Sequence, residues 1–204
     1  MPKKISQLTA LAGAVADTDL LELAEDAGGG NYDSRKMTVA QLKSAIVSNP
    51  RTIDLVTGTN VTGTTALTSS ASILIPANTI TVASVLEIQG RAIRVSGTAS
   101  TIAFSIYINT ANNLTGATLL GSFLSMTVSQ YYTAGLRSLF INPSTNQLTV
   151  INSGATVADD YVNTGTNTVI TYDETQAYYI LFVIQLSNSG DTGLIQFGKA
   201  TLYE

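Results

Sequence analysis

From residue 72 onward, apolar and polar positions alternate in short bursts with a period of two, the mark of strands that bury one face. Thr101 to Asn109 shows it most clearly. Ile102, Phe104, Ile106 and Ile108 fall on one side of the ribbon, and Ala103, Ser105, Tyr107 and Asn109 on the other. Similar bursts occur at 72–76, 84–95, 118–128, 136–142, 147–152, 168–172, 177–187 and 193–204. Turn-forming runs separate them, such as the one from Asn142 to Asn146. Within 84–95 the apolar phase changes near Gly90, from Leu86 and Ile88 to Ile93 and Val95, which predicts a bulge or bend. Roughly nine or ten strands with no helical period beyond residue 50 predict a mainly β fold, an antiparallel β-sandwich with a jelly roll as the first choice of topology.

The first fifty residues follow a different pattern. Ala16 to Leu23 can form a short strand carrying Leu20, Leu21 and Leu23, and Gly28-Gly29-Gly30 supplies a flexible turn. Thr38 with Gln41 matches a capping box, and Val39, Leu42 and Ile46 share one face of the helix expected to follow, which Pro50 stops. A helix of about nine residues is marginal alone in water, so this small α+β module needs the body, sister chains or a host surface. The expected division is a module at 1–50, a Thr/Gly-rich linker or edge segment at 51–71, and a β-sandwich body at 72–204.

Composition narrows the chemistry. Only 12% of the residues are charged against 45% apolar, and the net charge of −4 with a pI near 4.7 argues against nucleic acid or an anionic membrane surface as partner. The chain has no cysteine and no histidine, which removes the common general base, the thiol nucleophile and the usual zinc ligands. The expectation is therefore a non-enzyme without cofactor or metal. No long apolar run offers a membrane span, and Ser6, Gln7, Thr9 and Gly13 interrupt the weak likeness of the N-terminus to a secretory signal. The glycosylation patterns at Asn60 and Asn113 are accordingly read as chance.

The order K-K-I-S-Q-L-T-A, A-D-T-D-L-L-E-L, a Gly-rich turn and S-R-K-M-T-V-A-Q-L-K-S-A-I resembles the N-terminal segment of bacteriophage head-fibre and tail-fibre proteins. That resemblance implies an adaptor that attaches the protein to capsid or tail proteins, with Leu20, Leu21, Leu23, Val39, Leu42 and Ile46 as anchoring residues. It also implies a virion protein assembled in the bacterial cytoplasm. The beat I-L-I-P-A-N-T, V-L-E-I-Q-G-R, I-A-F-S-I-Y-I is similar to the opening of small jelly-roll domains in phage fibres and spikes. The same family implies a homotrimer.

Tyr131 and Tyr132 form an aromatic pair in an expected loop, suited to stacking on a host surface glycan or to packing on the sandwich rim. Asp159-Asp160 and Asp173-Glu174 are adjacent acids in expected turns, and solvated turn acids fit them better than a glycosidase dyad or a calcium site. Gly28-Gly29-Gly30 lacks phosphate-loop spacing, and Lys3-Lys4 and Arg35-Lys36 fit either a solvated flank or an acidic partner surface. Tyr178 to Leu186 is apolar on both faces, so the row Tyr179, Leu181 and Val183 is expected to meet a neighbouring subunit. A structural virion protein, with adhesion as a further role, is the leading reading. A carbohydrate-binding module free of any virion and a fibre-borne depolymerase are the alternatives.

Overall fold

The computed structural model describes residues 20–26, 32–38, 50–97, 101–150 and 167–204. The chain divides into two compact units, Met1–Ser48 and Asn49–Glu204. In the first, β1 (Leu20–Asp26) pairs antiparallel with β2 (Tyr32–Thr38), Leu20 opposite Thr38 and Asp26 opposite Tyr32. The strand expected from Ala16 to Leu23 is described from Leu20 onward and runs on to Asp26. Thr38 ends β2, and the helix expected after it, with Val39, Leu42 and Ile46, lies outside the described residues.

The second unit is an antiparallel sandwich. Its strands are β3 (Arg51–Val56), β4 (Val61–Thr62), β5 (Thr68–Ile75), β6 (Ser84–Ser96), β7 (Ile102–Asn109), β8 (Thr118–Ser122), β9 (Tyr132–Asn142), β10 (Gln147–Val150), β11 (Thr168–Thr171), β12 (Tyr178–Leu186) and β13 (Thr192–Tyr203). One sheet runs β11-β10-β9-β6-β13-β3 with β4 also on β13, and the other runs β5-β12-β7-β8. Setting aside β4 and the β10–β11 pair, the orders 3-13-6-9 and 5-12-7-8 are those of a jelly roll: early strands nest with late ones, β3 with β13 and β5 with β12. The stretch 51–71 holds β3 and β4, which pair with β13 in the larger sheet, and the start of β5, an edge strand of the smaller one.

The inward faces interdigitate as the alternation demands. Leu86, Ile88, Leu139, Ile141, Leu148 and Leu202 of the larger sheet pack with Ile73, Ile102, Phe104, Ile106, Ile180 and Phe182 of the smaller one. At the centre, Gly135, Gly90 and Gly198 lie side by side on β9, β6 and β13. A Cβ at Gly90 would stand 2.6 Å from Phe104, one at Gly198 would stand 2.6 Å from Phe182, and one at Gly135 would meet the ring of Phe123. Three phenyl rings occupy that space: Phe104 stacks on Phe123 at 4.7 Å between centroids and on Phe182 at 6.5 Å. Arg137, fully buried, extends the stack with its guanidinium 4.4 Å from the centre of Phe123.

The phase change expected near Gly90 does not occur. Leu86, Ile88, Gly90, Ala92 and Arg94 are all buried, so one parity faces inward along β6, and its pairing with β9 is unbroken. Against β13 the register shifts twice: Gln196 of β13 is skipped between Ile195 and Phe197, and Val95 of β6 between Arg94 and Ser96. Ile93 and Val95 misled the pattern because Arg94, though charged, points inward. Its guanidinium meets Asp191 at 2.8 Å, both side chains being 2% exposed.

Candidate functional site

The buried Arg94–Asp191 pair organises one end of the larger sheet. Arg94 Nη1 also donates to the carbonyl of Gly97 at 3.2 Å, and Nη2 to that of Thr127 at 3.3 Å. Gly97 has φ +86°, and a Cβ there would collide with Asp191, so this crossing needs glycine. The backbone N–H of Arg94 donates to the Tyr131 carbonyl at 2.9 Å. One arginine thereby ties down the turn from Thr127 to Gln130, which Gln130 also closes by accepting from the Thr127 N–H at 2.9 Å.

That turn presents Tyr131 and Tyr132, 74% and 59% exposed. With Ser129 and Gln130 they line an open groove of about 400 Å³. Tyr132 opens β9 where a loop was expected. Tyr132 lies opposite Ile93, on the outward face of the sheet, and its diagonal neighbour Arg91 holds its guanidinium 4.3 Å from the ring centre. Such a contact contributes about 0.5–1 kcal/mol at an exposed site and fixes the plane of both groups. Lys199 stands on the same face, opposite Gln89 and diagonal to Arg91. Sequence reasoning missed Arg91 and Lys199. The outward parity of β6 would have placed Arg91, but β13 and β6 are too far apart in sequence to be aligned by pattern alone.

Further along this face, Val169, Phe140, Val85 and Tyr203 are exposed and form a row in register across β11, β9, β6 and β13, with Thr149 of β10 between the first two. The outer sheet surface thus carries an apolar band at one end and aromatic, cationic and amide groups at the other.

Asp173 shapes a turn. Its carboxylate accepts from the Thr175 hydroxyl at 2.7 Å, the Thr175 N–H at 2.9 Å and Gln176 Nε2 at 2.8 Å, and these bonds, the Thr175 hydroxyl foremost, hold its pKa below the usual value. The neighbouring Glu174 accepts from the Asn78 N–H through its carbonyl. Asp173 borders an open cleft of about 400 Å³ with Asn109, Gln176 and Tyr178. Behind it, burial first and then Tyr178, Glu174 and Asp173 push the Tyr172 phenol up to about 12.

Leu181 and Val183 are fully buried within the chain, whereas Tyr179 is half-buried. The bare apolar row expected to require a second subunit is thus covered at two of its three positions. Leu20, Leu21 and Leu23 lie in β1 opposite Thr38, Met37 and Arg35. Gly28-Gly29-Gly30, Lys3-Lys4 and Asp159-Asp160 lie outside the described residues.

No protein-family model matches the chain. No curated protein matches it either. Among solved structures it is similar to that of A. japonicus CB05, at 11% identity and a TM-score of 0.32, over 90% of this chain and 31% of that one. It is also similar to the CBM2 module of the evolved Dit of Lactobacillus casei BL23 phage J-1, at 11% identity and a TM-score of 0.30, over 65% of this chain and 67% of that one. A third likeness is to fructofuranosidase from Schwanniomyces occidentalis complexed with fructose, at 9% identity and a TM-score of 0.23, over 88% and 39%. The chain spans under a third of the first of these. At such scores the likenesses carry no functional argument.

Proposed function

We propose that this is a structural virion protein of a bacteriophage, a fibre or capsid-decoration subunit whose first 48 residues attach to the particle and whose jelly roll adheres to a host-surface glycan. The observation that carries the adhesive part is the pair Tyr131 and Tyr132, exposed beside a groove and held in place from beneath by the buried Arg94–Asp191 pair. Large aromatic side chains kept in water at a rigid rim are platforms on which a sugar ring can stack. The attachment part rests on the likeness of the N-terminal segment to phage fibre adaptors, and the compact unit starting at Asn49 is a body that such an adaptor would carry. Two measurements test the reading. The protein should be detected on intact particles by labelled antibody, with loss of that signal when residues 1–48 are deleted. Purified protein should bind host cells, and Tyr131→Ala/Tyr132→Ala should abolish that binding. Cell binding without any presence on particles would favour a free carbohydrate-binding module.

Trimeric assembly belongs to the same proposal, and Tyr179 with the exposed Leu74 opposite it is the remaining apolar surface of β12 and β5 for such a contact. Light scattering should give the mass of three chains; the mass of one chain would remove assembly from the proposal.

A further inference from the structure

We infer that the outer face around Arg91, Tyr132 and Lys199 selects saccharides that bear carboxylates, an inference that rests on the adhesive reading above. The argument is a charge census of the jelly-roll unit. Residues 49–204 hold five cations and eight carboxylate side chains. Arg51 pairs with Glu204 at 3.2 Å and Arg94 with Asp191 at 2.8 Å. Arg137 is in the core, against Phe123, donating to the carbonyls of Leu136 and Ser122. Arg91 and Lys199 remain. Among the described residues neither side chain makes a hydrogen bond or an ion pair, and the two are diagonal neighbours on one sheet face. A buried Nε is common to all four arginines of this unit and singles out none of them. The missing carboxylate does.

The surroundings favour an anionic ligand from outside. The nearest acid is Glu87, which is diagonal to Lys199 across β6 and β13 but four residues, or about 13 Å along the strand, from Arg91. Gln89 Nε2 already donates to Glu87 at 2.9 Å. Two cations that pair with no carboxylate among the described residues, one of them well removed from Glu87, make the Arg91 end of this face the positive one. Stacking on Tyr132 sets the guanidinium plane, and a planar fork with free donors matches a carboxylate in a way that an ammonium does not. Lys199, diagonal to both Arg91 and Glu87, adds a second donor on the same face for a neighbouring acidic sugar. Tyr131, Tyr132, Ser129 and Gln130 supply a ring face and hydroxyl and amide groups for the sugar itself. Flat aromatic surface, hydroxyl partners and a forked cation together describe a uronic-acid type of ligand.

The test uses full-length protein and three carboxylated probes, oligomers of polygalacturonate, alginate and hyaluronate, each beside its carboxyl-reduced counterpart with the same backbone. Calorimetry should show at least one acidic probe bound ten-fold or more tightly than its reduced form, with the advantage shrinking as salt rises. Arg91→Gln and Lys199→Gln should each erase most of that advantage while the protein stays folded, with at most a small drop in melting temperature in Arg91→Gln from the lost contact with Tyr132. Equal binding of acidic and reduced probes, no binding of any acidic probe, or an unaltered preference in Arg91→Gln would overturn the inference. Host-cell binding separates it from the reading beneath it. If cell binding survives Arg91→Gln/Lys199→Gln but not Tyr131→Ala/Tyr132→Ala, adhesion stands and acid selectivity falls. If neither double variant changes cell binding, both fall.

Discussion

Gly90 lies directly opposite Gly198 across β6 and β13, and the ring of Phe182 rests on both. A methyl group at Gly198 would push into that ring, and one at Gly90 into Phe104 first and Phe182 next, in a core where the two rings lie 6.5 Å apart between centroids. Gly90→Ala and Gly198→Ala should each lower stability by about 1–3 kcal/mol through overpacking. Thermal unfolding checks this. A Gly198→Ala variant that also carries Phe182→Leu should recover part of the loss, because the smaller side chain makes room for the methyl.

The same stack sets the cost of removing its central member. Phe104→Ala should destabilise the protein by about 3–5 kcal/mol, whereas Ser105→Ala, on the opposite side of β7 with only a 3.4 Å contact to Ser122, should change it by less than about 1 kcal/mol. Denaturant midpoints of the two variants measure the difference.

Asp191→Asn should cost about 3–5 kcal/mol, because it leaves the guanidinium of Arg94 buried without its counter-charge. It should also loosen the turn at 127–130, so that weaker host-cell binding accompanies the lower melting temperature. Asp191→Asn with Arg94→Met should restore stability better than glycan binding, since the methionine packs but cannot hold the Thr127 carbonyl.

Tyr172 makes stability fall in strong alkali. Its folded pKa of about 12 exceeds the ordinary 10.0, so below pH 10 both states keep the proton and nothing is lost. Between those two values the unfolded chain ionises while the folded one does not, and each step upward in pH favours unfolding. Tyr172→Phe should flatten this alkaline limb, at the cost of the hydrogen bond its hydroxyl donates to the Ile80 carbonyl. Melting curves over the pH range from about 9 to about 11.5 would show the two slopes.

The fragment Asn49–Glu204 should fold on its own with a single cooperative transition, while a fragment starting after Val56 should not. The latter lacks β3, which covers one edge of β13. Circular dichroism on the two fragments distinguishes them.

Strand positions were largely legible because period-two alternation is local: the parity of Ile102, Phe104 and Ile106 read from sequence is the parity that is buried. Pairing partners were less so. The glycine row draws on β9, β6 and β13, and no local pattern says that Gly90 faces Gly198. Gly90 was noticed, but as a bend, since a strand glycine that admits a ring looks the same in sequence as one that admits a kink. Tyr131 and Tyr132 were found because adjacent aromatics after a polar turn are conspicuous. Arg91 and Lys199 were not, because their meaning comes from what every other cation of the unit has already bound. The burial of Leu181 and Val183 could not be foreseen from a strand read in isolation.

The position of β13 governs how the jelly roll comes into being. Residues 192–203 lie between β6 and β3 and also hold β4, so the strand that binds most of the larger sheet together is the last of the roll to be synthesised. Until it arrives, β3 and β6 have open edges and no common neighbour, and closing the sheet joins segments separated by most of the unit's length. Refolding should therefore be slow for a domain of this size, in the millisecond-to-second regime of long-range β topologies. Nascent chains stalled before residue 192 should be the aggregation-prone species during production.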